Sequence, residues 1–182
     1  SGVLALGYAY VSNLRVRQLA KPYMDDFARR TNTTVGLTCR DRLSMIYVEN
    51  CRPAEATSLR MDVGVRLPLA TTAAGRAYLA AMKDEERQHL LDAIRTRNPD
   101  NWAELEKGLE QSFADYAEHG FCLSLGDWQS DVHAVGVPLL SADRSAVFAL
   151  NCGGPSFILS PDYLKNEAGP RLAEIARQLT AR

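Results

Sequence analysis

Apolar positions Leu14, Leu19, Tyr23 and Phe27 recur at roughly helical spacing near the start of the chain. Pro22 interrupts them, which predicts two helices, or one kinked helix, with Pro22 in the first turn of the second. After Asn32 the period changes. "TTVGLTCRDRLSMIYVEN" is a pair of β-rich runs around the polar "RDR", the pattern of an antiparallel hairpin. "SLRMDVGVRLPLA" adds one or two short strands, punctuated by Gly64 and Pro68.

A small, alanine-rich stretch from about Thr72 to Met82 predicts a helix, and Asp84 begins another, "DEERQHLLDAI", with acids where the helix dipole favours them. "RNPDN" breaks the chain. "WAELEKGLEQSFADYAEH" then carries Leu105, Leu109, Phe113 and Tyr116 on one face, with Gly120 placed for a left-handed C-terminal cap. "FCLSL", "VHAVGVPLL" and "SAVFALNC" read as three more short strands, the last two joined by the turn "SADR" at residues 141–144. Ser160 and Pro161 open a final helix that Gly169 and Pro170 should bend or restart. Strands in runs, separated by a block of helices, predict an α+β domain: an antiparallel sheet with one face covered by helices and a pocket on the other, under the loops.

Length and composition narrow the class. A chain of 182 residues suits one compact domain, and no apolar run approaches the roughly 18 residues of a membrane span. No signal peptide is present, so no membrane partner is expected. A net charge of -1 lacks the basic excess that neutralises phosphates, so this stretch alone is not expected to bind DNA. The four cysteines are scattered, three of them in β-like contexts, and read as reduced and buried, which points to the cytoplasm. The chain opens "SGVLALGYAY" without methionine and reads as a fragment of something longer.

Candidate chemistry is sparse. No G-x-S-x-G elbow, P-loop, G-x-G-x-x-G or H-E-x-x-H occurs. The three histidines have no ligand spacing, so neither a metal nor any other cofactor is expected. The best catalytic arrangement would use Cys152 as nucleophile and His133 as base. It is outweighed, because Cys152 lies at a strand end between "ALN" and "GGP" and alternation points His133 to solvent. Glu85, Glu86 and His89 are accounted for by an exposed amphipathic helix.

One stretch asks for more. "ATTAAG", Ala70 to Gly75, places six small residues at a helix start. The first helical turn has backbone N–H groups without internal partners, and small side chains let an anion reach them. Thr71 or Thr72 can supply an N-cap, while Ala73, Ala74 and Gly75 present little but backbone. Close packing of the helix on the sheet explains the same composition equally well.

"MDVGVRLPLATTAAGRAYLAAM" resembles the signature of the ligand-binding domain of IclR-type bacterial transcriptional regulators: Gly64, Pro68, Leu69, Thr71, Thr72, Gly75, Arg76 and Ala77 carry the likeness. "HGFCLSLGDWQSDVHAVGVPLLSADRSAVFALNCGGP" is similar to that family's C-terminal half, and "LALGYAYVSNLRVRQLAKPYMDDFARRTNTT" to its N-terminal approach. The resemblance implies a GAF/PAS-like curved antiparallel sheet with helices packed on it. Residues 1–20 would form an N-terminal linker helix and residues 21–182 the effector-binding domain. Such a domain is a sensor rather than an enzyme; it takes a small carboxylate effector and associates with itself as a dimer or tetramer. It acts on DNA only through an N-terminal winged helix-turn-helix domain, to which nothing in this chain is similar.

Carried over by position, the effector site would comprise Leu59 and Leu67 in the wall, Thr72 and the backbone of Ala73 and Ala74 at the helix start, Ser124, Ala134 and Asn151. Ser124 and Ala134 are small here, which implies a roomier pocket, and no arginine or lysine falls at a matched position. The expectation is a carboxylate held by helix N–H groups and neutral hydrogen bonds, with apolar walls around an aromatic or medium-sized body. The alternatives are a small cysteine-dependent enzyme and a dimerisation module with a vestigial pocket.

Overall fold

The computed structural model describes residues 2–53, 61–141 and 146–180. Helix α1 (Gly2–Asn13) is followed by α2 (Arg15–Thr31), and the break between them is at Leu14, which is extended at φ -68 and ψ 101. Pro22 therefore lies inside α2, and not in its first turn as the pattern suggested. The helix tolerates it because Pro22 and Gln18 are both exposed, so the Gln18 carbonyl that loses its N–H partner is on the solvent side. The boundary expected after residue 20 falls within this same helix, where Ala20 is fully buried.

The hairpin forms as the pattern predicts, with β1 (Thr34–Asp41) and β2 (Ser44–Cys51) paired antiparallel around Arg42, whose φ is 57. Its register shifts between Leu37 and Thr38: Thr38 faces Tyr47 while Leu37 faces Glu49, so Val48 is an extra residue. This bulge breaks the simple alternation of β2. The short β3 (Arg66–Pro68) pairs with β2 at the sheet edge, where Pro68 is admissible.

Three helices follow: α3 (Ala73–Ala81), α4 (Asp84–Arg97) and α5 (Trp102–His119), the last closed by Gly120 in the left-handed conformation. Strands β4 (Cys122–Leu125), β5 (Val132–Leu140) and β6 (Val147–Pro155) complete a six-stranded antiparallel sheet of order β3-β2-β1-β6-β5-β4. Most of the turn expected at residues 141–144 lies outside the described residues. Ser160 caps the final helical segment through the N–H of Tyr163, giving a short α6 (Pro161–Tyr163). Gly169 and Pro170 do not restart the helix. Residues Leu164–Ala168 form a π-turn in which the Gly169 N–H reaches the Leu164 carbonyl, and α7 (Gly169–Thr180) continues directly.

Helices cover both faces of the sheet, not one. Val35, Leu37, Val135, Val137 and Leu150 pack against Met24 and Phe27 of α2 and Leu172 and Ala176 of α7. On the opposite face Met45, Tyr47, Leu67 and Ala149 pack with Ala74 and Leu79 of α3, Ile94 of α4 and Leu109 of α5. The second face accepts a helix because its residues opposite α3 include Gly136 and Ala149, which let the helix come close. All four cysteines are unpaired strand residues, and Cys51, Cys122 and Cys152 are buried. Among the described residues no helix is long and apolar enough to cross a membrane.

Candidate effector site

The start of α3 is built around Thr72, the extended residue before the helix. Its Oγ1 accepts from the Gly75 N–H at 3.2 Å and donates to the Pro68 carbonyl at 2.8 Å, while its own carbonyl takes the Arg76 N–H at 2.9 Å. The N–H groups of Ala73 and Ala74 have no partner among the described residues. Close packing accounts for the glycines in and opposite the first turn. A Cβ on Gly136 would meet the Ala73 carbonyl oxygen at 2.3 Å, and one on Gly75 would meet the Leu69 carbonyl oxygen at 2.1 Å, so glycine is there for close packing. Ala73 and Ala74 line open space.

That space is a cavity between the first turn of α3 and the sheet. Leu67, Thr72, Ala73, Ala74, Ser124, Ala134 and Asn151 all line it; Leu59 lies outside the described residues. The pocket is therefore under a helix, not on a bare sheet face. Thr34, Tyr47, Met61, Trp128, Val132 and Gly153 also line it, and the sequence reading missed them. Alternation could have found Gly153, two residues beyond Asn151, and its β1 partner Thr34. Tyr47 shares the face of Met45, two positions before it, and was as open to alternation as Gly153, whereas Trp128 was hidden by its place in a loop. Counting its open mouth, the cavity has about 430 Å³ free of protein atoms. Tyr47 and Trp128 offset the room left by Ser124 and Ala134.

The polar groups open to a ligand are few. Thr72 is used as the cap, and Ser124 Oγ donates to the Thr71 carbonyl at 2.8 Å. The Asn151 Nδ2 donates to the Tyr47 hydroxyl at 2.9 Å, and Asn151 Oδ1 is buried with no partner among the described residues. Burial pushes the Tyr47 phenol up to about 12, so the hydroxyl keeps its proton at neutral pH. The ring has room because Gly36 lies beneath it; a Cβ there would meet Tyr47 Cε1 at 1.9 Å. Among the described residues no charged side chain lines the cavity.

Arg76 is buried behind the site. Its Nε donates to the Ala70 carbonyl at 2.9 Å, and its Nη1 lies 3.0 Å from both the Leu123 carbonyl and Asp127 Oδ2.

The residues considered for catalysis are not joined. Cys152 Sγ lies 3.0 Å from Thr33 Oγ1 and is fully buried, which pushes its thiol up to about 11, the reverse of what a nucleophile needs. His133 does not point freely to solvent; its Nδ1 lies 2.7 Å from the Leu159 carbonyl. Glu85, Glu86 and His89 are exposed on α4.

Residues 8–181 match the family described as bacterial transcriptional regulator IclR, C-terminal. The HTH-type transcriptional regulator TsaQ1/TsaQ2 of Comamonas testosteroni is 27% identical over 181 residues, covering 98% of this chain and 65% of that protein. The crystal structure of an IclR family transcriptional regulator from Brucella abortus superposes with a TM-score of 0.94 at 41% identity, over 100% of this chain and 68% of that one. The inducer-binding domain of a PobR double mutant from Acinetobacter, solved as a complex with 3-hydroxybenzoic acid, is similar in fold, with a TM-score of 0.72 at 22% identity over 90% of this chain and 97% of that one. These relatives regulate transcription and are not enzymes. With its curved antiparallel sheet and the cavity at the start of α3, the chain belongs to the IclR family of bacterial transcriptional regulators, as their C-terminal, effector-binding domain.

Proposed function

We propose that this domain binds an aromatic or medium-sized organic acid in the cavity under α3, with the carboxylate on the Ala73 and Ala74 N–H groups. The observation that carries the reading is this pair of N–H groups, unpartnered among the described residues, opening into a space that no charged side chain of those residues lines. Backbone donors at a helix start bind a carboxylate without a counter-charge. The Tyr47 hydroxyl supplies a further neutral donor, while Leu67, Met61, Trp128 and Val132 enclose the body. The 3-hydroxybenzoic acid in the PobR complex is an acid of this size.

The effector acts by favouring one arrangement of the regulator's subunits over another, which changes DNA affinity only as far as it binds the two differently. DNA contact is made by a winged helix-turn-helix domain outside this chain. Self-association uses α1, whose sequence "GVLALGYAYVSN" carries no charged side chain and leaves Val3, Leu6 and Tyr10 exposed.

A thermal-shift screen against substituted benzoates and aliphatic acids tests the reading. An acid at about a hundred times its dissociation constant adds roughly 2.7 kcal/mol, or about 5–10 °C in melting temperature. Shifts confined to two- and three-carbon acids would overturn the predicted ligand size. No shift with any acid, together with ligand-free self-association, would favour a dimerisation module with a vestigial pocket.

A further inference from the structure

Gly108 stands in the middle of α5, where glycine costs a helix about 1 kcal/mol relative to alanine. A Cβ at this position would lie 2.7 Å from Arg76 Nη2, so the helix gives up that preference to house a guanidinium. A charge this deeply buried must be paired. Arg76 is 4% exposed, and its bonds go to two parts of the site that are far apart in sequence. Ala70 belongs to the turn that leads into the first turn of α3, where Ala73 and Ala74 lie. Asp127 belongs to the β4–β5 loop and is followed by Trp128, which lines the cavity.

Trp128 has no hydrogen bond of its own among the described residues. The chain around it is held at Gly126, whose φ is 87 and whose N–H bonds the Val132 carbonyl at 3.0 Å, and at Asp127. Asp127 Oδ2 takes two donors, Arg76 Nη1 at 3.0 Å and the Leu125 N–H at 2.9 Å. We propose that the Arg76–Asp127 pair is the positioning device that holds the Trp128 wall at a fixed separation from the Ala73–Ala74 donors and so sets the size of the acid admitted. This rests on the reading of the cavity as the effector site. One guanidinium joins the donors to the wall, so the two move together while the pair is intact. Released from Arg76, the loop keeps its own bonds, Gly126 N–H to the Val132 carbonyl and Val132 N–H to the Gln129 carbonyl, but nothing ties it to the start of α3 except the packing of the indole.

The test uses Asp127→Ala and Asp127→Asn in a Trp102→Phe background, which leaves Trp128 as the sole tryptophan. Removing the Asp127 carboxylate leaves the buried Arg76 charge with carbonyl partners alone, so each variant is read only where its melt stays cooperative, and Asp127→Glu serves as the conservative variant that keeps the charge. In the ligand-free domain, acrylamide should quench Trp128 more strongly in both variants than in the parent. With 4-hydroxybenzoate and 6-hydroxy-2-naphthoate as probes, the ratio of their affinities should move at least about tenfold toward the larger acid, and Asp127→Glu should restore part of it. Unchanged quenching, or an unchanged affinity ratio, overturns the proposal. If neither acid binds the parent, the reading of the cavity fails, and with it the role in size selection; the quenching comparison still decides whether the pair holds Trp128.

Discussion

The side-chain amide of Asn151 donates to the hydroxyl of Tyr47 at 2.9 Å, across the floor of the cavity. The bond uses an oxygen lone pair of the phenol and leaves its proton free to meet an acceptor brought in by a ligand.

Tyr47→Phe should therefore weaken binding of an aromatic acid by roughly tenfold, the worth of one hydrogen bond to a charged group. The same change strands the Asn151 amide and should lower the melting temperature by a few degrees. Calorimetric titration beside a melt separates the two effects. Unaltered affinity would remove Tyr47 from the ligand's contacts.

Ala73→Phe places a ring in the cavity at the two free N–H groups. Loss of acid binding with a cooperative melt retained is the expected outcome. Binding that survives would relocate the site.

Gly136→Ala drives a methyl group against the carbonyl of Ala73, at 2.3 Å before relaxation. The helix must lift from β5, at a cost of about 1–3 kcal/mol or more. Urea unfolding should show the loss, and acid binding should weaken with it because the donors shift.

Glu49 is 5% exposed and is paired with Arg17 at 2.8 Å and with Lys21 at 3.8 Å, both from α2. The cations are partly solvated, so Glu49→Ala should cost about 1–2 kcal/mol rather than the larger penalty of a fully buried pair. Glu49→Gln should recover part of this. Denaturant midpoints check the order.

Burial raises the thiols of Cys51 and Cys122 to about 12 and that of Cys152 to about 11. The folded protein keeps these protons where the unfolded chain has released them. The stability they contribute is complete below the ordinary thiol value of about 8.5 and is lost as pH rises from there through about 11–12. Melting temperature should fall steadily above pH 9, and a disulfide reagent at pH 8 should modify half-buried Cys39 first.

Much of this was written locally in the chain. Thr71 or Thr72 before a run of small residues announced an N-cap, which the structure gives to Thr72; the change of period after Asn32 and the glycine at 120 marked helix ends, and both residues are left-handed. The resemblance to a family placed Asn151 and Ser124 in a common wall. Trp128 was not legible in the same way, because no period places a loop residue. The face that Glu49 takes depends on one extra residue, Val48, and only the partner strand reveals that register. The Arg76–Asp127 contact joins residues 51 positions apart, and no periodicity encodes it. The helices on the second face escaped for the same reason: Gly136 and Ala149 read as weak strand formers until a helix is seen resting there.

The extra residue in β2 gives that strand two loads. On one side hangs the phenol that lines the cavity; two positions later, on the other side, hangs the carboxylate tied to α2. A displacement of Tyr47 is transmitted to Glu49 unless the bulge absorbs it, and Glu49 cannot move without dragging or releasing Arg17 and Lys21. By reciprocity, whatever fixes the pose of α2 also biases the floor on which an effector lands. Such a lever works in both directions: loosening α2 from Glu49 should shift the phenol at the cavity floor as well.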